Sequence, residues 1–549
     1  MCRYRLLAML LLCPPLQGYA ADRLVLASGD GEYQAWQWPD NQAAEASRWQ
    51  TPLGSVWKLF VYAYLVETQQ REPLLQCTGE HPEQERYCCE PQERIDRDTA
   101  LSRSCGLYFT PARLRLDAEA WRRHWQQRSA PDWLGTLSAL DERQLVGVDE
   151  LLHQLEQFPL AVIQQAQAAL VGTSLQGRGR DALPTLGTLA IVKTFTMPTP
   201  DGTLGGGAGW SQDGHALWFA GRGNSQQVMS RLAPRLAHTL LDTPVRDNSC
   251  VRVRFFARYP LLKIVNAHGS ALALHKQPLQ GHYRLYFKNG QQLDWQTAEH
   301  RFWLQAGADQ PAEIWGRLNE TEYVARVVDR EAQAEASQAA KALAIAARSY
   351  LHQQARFDGE CLQIDDSSAR QRVSAQPATA AALAASRTTA GLMLRNTPVQ
   401  YHLHRAGSNQ LSWQQALEWQ SQGLDFVQIL ARAYPDAQLS WQGSASAQEC
   451  QPLSEPSRWL RQQLPKWQAV LQTTEGFEAI ALPQICLLQH GRPYADQKAQ
   501  RIYLRPATSL ESRITLVHEY LHLALAHHPA GADETYIEQL ARELVRGEL

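Results

Sequence analysis

The chain carries no surplus of positive charge: 53 Lys and Arg stand against 55 Asp and Glu, a formal net charge of −2. No basic surplus exists to neutralise a phosphate backbone, so the composition does not favour nucleic acid and no nucleic-acid partner is expected. Long apolar runs are missing beyond the first 20 residues, and no stable membrane span is expected. Repeats of fixed period and long low-complexity tracts are also missing, which argues against solenoids and disordered linkers. Methionine is scarce, with five in all and the last at Met393. At 549 residues the chain is too long for one ordinary core, and roughly three to four domains are expected.

What is present is globular in composition, with 44% hydrophobic and 20% charged residues. The 17 Trp are read mainly as core residues. Arg3 and Arg5 precede a short apolar run from Leu6 to Cys13, and Gly18 and Ala20 are small residues at a cleavage-like position. Residues 1–20 therefore read as a secretory signal, and the mature protein is expected to be secreted or periplasmic. Ten cysteines less Cys2 and Cys13 leave eight, an even number that permits disulfides outside the cytoplasm. Cys77 with Cys88 or Cys89, Cys105 with either of these, Cys250 with Cys361, and Cys450 with Cys486 are the pairings considered.

Soft boundaries near 245, 410 and 450 give spans of 21–245, 246–410 and 411–549. Glycine- and proline-rich stretches at 172–188 and 198–215 read as loops. Alternation around Asn289-Gly290 reads as a β-hairpin over 284–304. Helical spacing covers 338–354 and 511–527. The fold class expected is multi-domain α+β. The Trp-rich helices with Trp413, Trp419, Trp459 and Trp467 are expected to pack the C-terminal core.

The first chemistry-bearing motif is Ser55-x-x-Lys58. Residues three apart share a helix face, so the lysine amine can reach the hydroxyl, and a desolvated lysine can serve as its base. Further on come Cys77-Thr78-Gly79, Tyr87-Cys88-Cys89, DTALSRSCGLYF at 98–109, VKTFT at 192–196 and ALWFAG at 216–221. In that order these segments resemble the penicillin-binding protein transpeptidase and β-lactamase superfamily over about 40–240. The resemblance implies an α/β sandwich with Ser55 as nucleophile, Lys58 as its base and Ser104 as a proton shuttle. It also implies Lys193 and Thr194 as binders of a substrate carboxylate. Gly106 stands where that superfamily has Asn, and Phe195 where it has Gly, so a phenyl ring is expected to crowd the cleft.

The second motif is LNETEYVARVVDREAQAEASQAAKALAIAARSYL at 318–351. Tyr323, Val324, Val327 and Val328 form one apolar helix face that ends at Glu331. This segment resembles the SpoIID family of peptidoglycan lytic transglycosylases, over about 255–410, ending at Tyr401-His402. The resemblance implies Glu331 as the acid that protonates a glycosidic oxygen. The Cys- and His-containing loop of that family is represented here only by CLQIDDSSARQRV at 361–373.

The third motif is His518-Glu519-x-x-His522 in ITLVHEYLHLALAH. Ile514, Val517, Leu521 and Leu525 define the apolar face of its helix, and His518 and His522, one turn apart, can share a Zn²⁺. Glu519 is placed to take a proton from activated water. A second helix begins after Asp533, its expected cap, and carries Glu534 and Glu538. The arrangement resembles gluzincin-type metallopeptidases, with Glu534 favoured as third ligand over Glu538 and His528. The third-His pattern of metzincins also needs a turn glycine where Leu525 stands, and a Met-turn that cannot exist after Met393. The combined expectation is a periplasmic zinc hydrolase directed at peptidoglycan or its peptides. The alternatives are a non-catalytic wall-binding scaffold and a protease acting on proteins.

Overall fold

The structure is a computed structural model. It describes residues 21–547 except 29–30, 40–41, 44, 71, 81–84, 86, 201, 244–246, 248, 308–309, 358–359, 396, 403–406, 408, 442–452, 475, 488–492, 497–499, 505–508, 527, 529–530 and 532. The signal-like segment 1–20 lies outside the described residues, as do Cys450 and the side chain of His402. No helix among the described residues is long and apolar enough to cross a membrane. The architecture is multi-domain α+β, in two compact units that do not follow the linear spans.

The first unit takes the chain up to Asp247 together with Glu331–Ala346 and Ala378–Gly443. Its sheet comprises β1 (Asp22–Ala27), β2 (Tyr33–Trp38), β3 (Gln42–Ala43), β4 (Ala190–Thr199), β5 (Gly202–Ser211) and β6 (Ala216–Arg222). All neighbours pair antiparallel in the order β3-β2-β1-β6-β5-β4, so β4, which carries Lys193 to Phe195, is an edge strand. Side chains alternate across this sheet. Leu24, Leu26, Val192, Leu217 and Phe219 meet Val228, Leu232 and Leu236 of the helix Ser225–Asp242 on one face. On the other face Trp210 donates to Leu155 O, and Trp218 lies 6.1 Å from Trp49. Helix α1 (Trp57–Thr68) is buried all round from Trp57 to Leu65, and apart from Lys58 it carries apolar and aromatic side chains on every side there.

The stretch 198–215 is not a loop: most of it is the inner strand β5. Its glycines serve close packing rather than turning. A Cβ on Gly206 would lie 2.5 Å from Phe219 O and 2.6 Å from Phe195 Cζ, and one on Gly205 would lie 2.4 Å from the Asn224 backbone. In 172–188, helix continues to Gln176 and resumes at Leu183–Leu186. Trp413 and Trp419 fall in the first unit, whereas Trp459 and Trp467 pack in the C-terminal core. The strand pair Leu392–Arg395 with Gln438–Trp441 closes 378–443 on itself, and Arg387 donates to Leu240 O and Leu241 O at the end of the helix Ser225–Asp242.

The second unit takes Asn248–Arg330, Ala347–Pro377 and Ser444–Leu549. Its large sheet comprises β7 (Val251–Phe255), β8 (Leu261–Asn266), β9 (Gln277–Phe287), β10 (Gln292–Gly307), β11 (Gln310–Leu318), β12 (Arg356–Phe357) and β13 (Leu362–Asp365). The order is β8-β9-β10-β11-β7-β13-β12, parallel only between β7 and β13. The expected hairpin is β9–β10, with Tyr286 opposite Gln292 and Gly290 at φ 83 in its turn. Helix α2 (Glu320–Glu331) buries Tyr323, Val324, Val327 and Val328, and α3 (Ser337–Gln354) follows it.

The C-terminal part holds α4 (Ser454–Leu471), a three-stranded sheet, α5 (Leu510–Ala524) and α6 (Glu534–Arg546). The sheet pairs Gln484–Leu487 parallel and Tyr494–Asp496 antiparallel to Arg501–Leu504. Ile514, Val517, Leu521 and Leu525 are all buried, against Leu460, Leu464 and Trp467 of α4 and Ile537, Leu540 and Leu544 of α6. Ser509 caps α5, and Asp533 accepts from Thr535 N and Tyr536 N to cap α6.

Three disulfides tie the described residues: Cys77–Cys89, Cys88–Cys105 and Cys250–Cys361. Cys486 is also disulfide-bonded.

Candidate functional sites

Ser55 sits in a 3-10 turn (Gly54–Val56) that runs into α1, and one helical turn brings Lys58 Nζ to 2.8 Å from Ser55 Oγ. Burial lowers the Lys58 pKa to about 8, with the Glu142 carboxylate pulling it back up. A lysine near that value has a substantial neutral fraction at neutral to mildly alkaline pH, as a base requires. Lys193 is fully buried, and its Nζ has no hydrogen-bond partner among the described residues. Burial holds it well below the ordinary lysine range, and the charges of Lys58 and Arg178 push it further. Thr194 is buried beside it. Ser104 is a half-buried helix C-cap in the left-handed region at φ 66. Its hydroxyl makes no hydrogen bond to Ser55 or Lys58.

The two departures have physical counterparts. A Cβ on Gly106 would lie 3.8 Å from Lys58 Cε, in ordinary van der Waals contact, so the position of the missing side chain borders the dyad. Phe195 is 2% exposed, and its ring occupies the space between Gly54 and Gly206. A Cβ on Gly54 would lie 2.4 Å from Phe195 Cβ, which puts the phenylalanine directly against the residue preceding Ser55.

Glu331 is the last residue of α2 and is half-buried. At the other end of α2, Glu320 accepts from Arg348 Nε at 3.0 Å and faces His352 Nε2 at 2.5 Å. In the 361–373 segment Cys361 is tied up in a disulfide and offers no thiolate to a metal. Gln371 is buried between Tyr323 Oη and Ala347 O, a packing role for that loop.

The C-terminal helices bring His518, His522 and Glu534 together, with one ligand-type atom from each within 4.8 Å of the others. His518 Nε2 lies 3.1 Å from His522 Nε2 and 3.0 Å from Glu534 Oε2, and His522 Nε2 lies 3.5 Å from Glu534 Oε1. Donors about 2.0–2.1 Å from a tetrahedral ion are about 3.3 Å apart, so these spacings fit a shared cation. The remaining ring nitrogens have partners of their own: His522 Nδ1 faces Gly531 O at 3.2 Å, and His518 Nδ1 faces Glu538 Oε2 at 3.0 Å. Such contacts hold the tautomer whose Nε2 carries the lone pair. Burial lowers the His522 pKa, Glu534 opposes that effect and His518 adds to it, which favours the neutral, ligating ring. Glu519 is 7% exposed, and its pKa is raised to about 7 by burial and the Glu534 charge, against a hydrogen bond from the Ala495 backbone. His528 instead stacks on Tyr536 with ring centroids 5.3 Å apart.

An open groove of about 640 Å³ runs along α6 and reaches His518 and Glu534 of this cluster, with Glu538 and Arg542 also in its lining. The sequence pointed to Glu538 as a possible ligand but not to Arg542, which pairs with Glu538 at 2.7 Å, nor to Glu511, which accepts from Arg542 at 3.2 Å. The spacing of four between 538 and 542 was the available signal.

Comparison with known proteins bears on the whole chain. Residues 80–189 and 409–530 match a family described as "Predicted secreted protein (DUF2300)". Residues 310–395 match the SpoIID family, "Stage II sporulation protein". Two solved structures are similar over 40% of this chain, each with a TM-score of 0.27. One is the class D β-lactamase OXA-427, at 15% identity over 98% of its own length. The other is the class D β-lactamase YbXI from Nostoc, at 12% identity over 92% of its length. The two family matches describe a protein of a kind predicted to be secreted that carries a SpoIID domain. "Uncharacterized protein YfaQ" from Escherichia coli (strain K12) is 41% identical over 534 residues, 96% of this chain and 95% of that protein. The chain belongs to the family of that protein.

Proposed function

We propose that this is an exported, periplasmic metal-dependent hydrolase that cleaves peptide bonds in peptidoglycan or its fragments. The observation that carries the reading is the convergence of His518, His522 and Glu534 donor atoms on one point, with Glu519 buried alongside. His518, His522 and Glu534 would hold Zn²⁺, which as a Lewis acid polarises a carbonyl and activates water near neutral pH. His522 is oriented by Gly531 O and His518 by Glu538. Glu519, shielded from solvent, takes up the proton from the attacking water and returns it to the leaving amine at its carboxylate oxygen.

Direction toward the wall is supported by the SpoIID domain, in which Glu331 is proposed as the acid of a lytic step. The Ser55–Lys58 dyad is proposed as a second wall-directed site, with Lys193 and Thr194 receiving a carboxylate. A second reading of that dyad, binding without acylation, is favoured by Phe195 packed against Gly54 and by the absent side chain at Gly106.

The test is digestion of purified peptidoglycan and its stem peptides, read by mass spectrometry. New amino termini that disappear with a zinc chelator, return with Zn²⁺ and are absent from Glu519→Gln are expected. Cleavage that persists in Glu519→Gln, or no cleavage of either substrate by zinc-loaded wild type, would overturn the reading.

A further inference from the structure

Between the helix Leu160–Gln176 and the edge strand β4 the chain follows a loop, 177–188. It begins on the dyad side of the sheet. Burial first, then the charges of Lys58 and Arg178, lower the Lys193 pKa, so the Arg178 guanidinium lies within electrostatic reach of that buried amine. The loop ends on the other side, where Ala182, Leu186 and Leu189 join Val192 and Phe219 in the core. Val192 and Lys193 are neighbours on β4 and point to opposite faces, so the loop passes around the edge that carries Lys193.

What holds this loop is mostly chain from after residue 330, all within the first unit. Arg180 Nη2 donates to both oxygens of Asp425, at 2.8 and 2.6 Å. Thr188 donates its N–H to Thr388 O at 2.9 Å and its hydroxyl to Ala390 O at 2.9 Å. Gln338 Nε2 and Lys341 Nζ of α3 both donate to Pro184 O. To their own fold, among the described residues, the loop side chains hydrogen-bond only through Asp181 with Gln226 and Thr188 with Gln212.

The plain alternative is ordinary packing of neighbouring segments. Two features go beyond it. Gly187 stands at φ 54, and a Cβ there would lie 1.8 Å from Thr388 O, so the loop approaches that carbonyl as only glycine can. The Arg180 and Asp425 side chains are 26% and 16% exposed, and Asp425 also caps the helix Phe426–Ala433, which fixes the carboxylate that Arg180 meets.

We infer that residues 378–443 complete the first site: Asp425, through Arg180, and the Thr388 and Ala390 carbonyls, through Gly187 and Thr188, hold the 177–188 loop as the cover of Lys193. Asp425 and Arg180 are positioning residues, and a ligand carboxylate reaches Lys193 only past the loop they hold. The consequence for ligands rests on the dyad being a site, as proposed above; the cover does not.

The experiment is brief acetylation of the full mature chain with acetic anhydride, read at Lys193 by mass spectrometry against the exposed Lys288, with hydrogen exchange of 177–188 alongside. Asp425→Asn, which keeps a capping side chain, and Arg180→Ala are each expected to raise Lys193 labelling at least about tenfold and to speed exchange of the loop. The double variant is expected to label no faster than the faster single one, because both remove the same interaction. Arg180→Lys is expected to recover at least half of the loss on a logarithmic scale. Wild-type labelling in both single variants, or effects that add in the double variant, would overturn the inference. Faster loop exchange with Lys193 still protected would overturn the cover. If wild type and both variants fail to hold a fluorescent penicillin, the dyad reading falls, and the consequence for ligands with it.

Discussion

Glu320→Gln probes the SpoIID domain where it is most electrostatically committed. Burial alone raises the Glu320 pKa, but His352 and then Arg348 overcome it and bring the carboxyl from 4.5 to about 2. Arg348 is 1% exposed and the Glu320 side chain 19%, so water screens the pair only from the carboxylate side. At about 1.4 kcal/mol per pH unit, the gap corresponds to roughly 3 kcal/mol of local stability. The folded value lies below the unfolded one, so this stability is fully present above about pH 4.5 and is lost as the pH falls towards 2. Hydrogen exchange of α2 and of the α3 residues after Ala347 reads it locally, which suits a multi-domain chain better than a global melt. At pH 7 the variant is expected to exchange roughly 100-fold faster than wild type there, with the difference shrinking between about pH 5 and pH 3. Equal protection at pH 7, or a difference that does not shrink on acidification, would refute the electrostatic account of this helix pair. Arg348→Ala strands the buried carboxylate and is expected to cost more, about 3–5 kcal/mol.

Three further outcomes are expected. If the dyad acylates, labelling by a fluorescent penicillin rises through about pH 8 as Lys58 loses its proton, and is absent in Ser55→Ala; a profile flat through pH 8 would exclude Lys58 as base. Phe195→Gly removes the ring wedged between Gly54 and Gly206 and is expected to raise labelling at least about tenfold if crowding limits it; unchanged labelling would locate the obstacle elsewhere. Glu331→Gln is expected to abolish anhydro-ended products from glycan strands, and wild-type digestion by this variant would rule out Glu331 as the acid.

Local spacing was readable in the sequence because it depends on few residues. The i,i+3 contact of Ser55 with Lys58, the apolar face of α5 and the Asp533 cap all appear where periodicity places them. The β9–β10 hairpin follows from Asn289-Gly290. What was not readable depends on distant partners. Cys88 and Cys89 are adjacent, so spacing could not decide which joins Cys77; the fold splits them between Cys77 and Cys105. Gly205 to Gly207 resemble a flexible loop until Phe195, Phe219 and the Asn224 backbone are brought against them. The burial of Lys193 without a hydrogen-bond partner among the described residues, and the turning of Glu538 to Nδ1 of His518, are likewise tertiary facts.

The most direct test of the central claim is the zinc content of the purified mature chain by mass spectrometry of the metal. About one zinc per chain is expected for wild type and close to none for His518→Ala with His522→Ala. Zinc absent from wild type after loading, or equally abundant in the double variant, would contradict it.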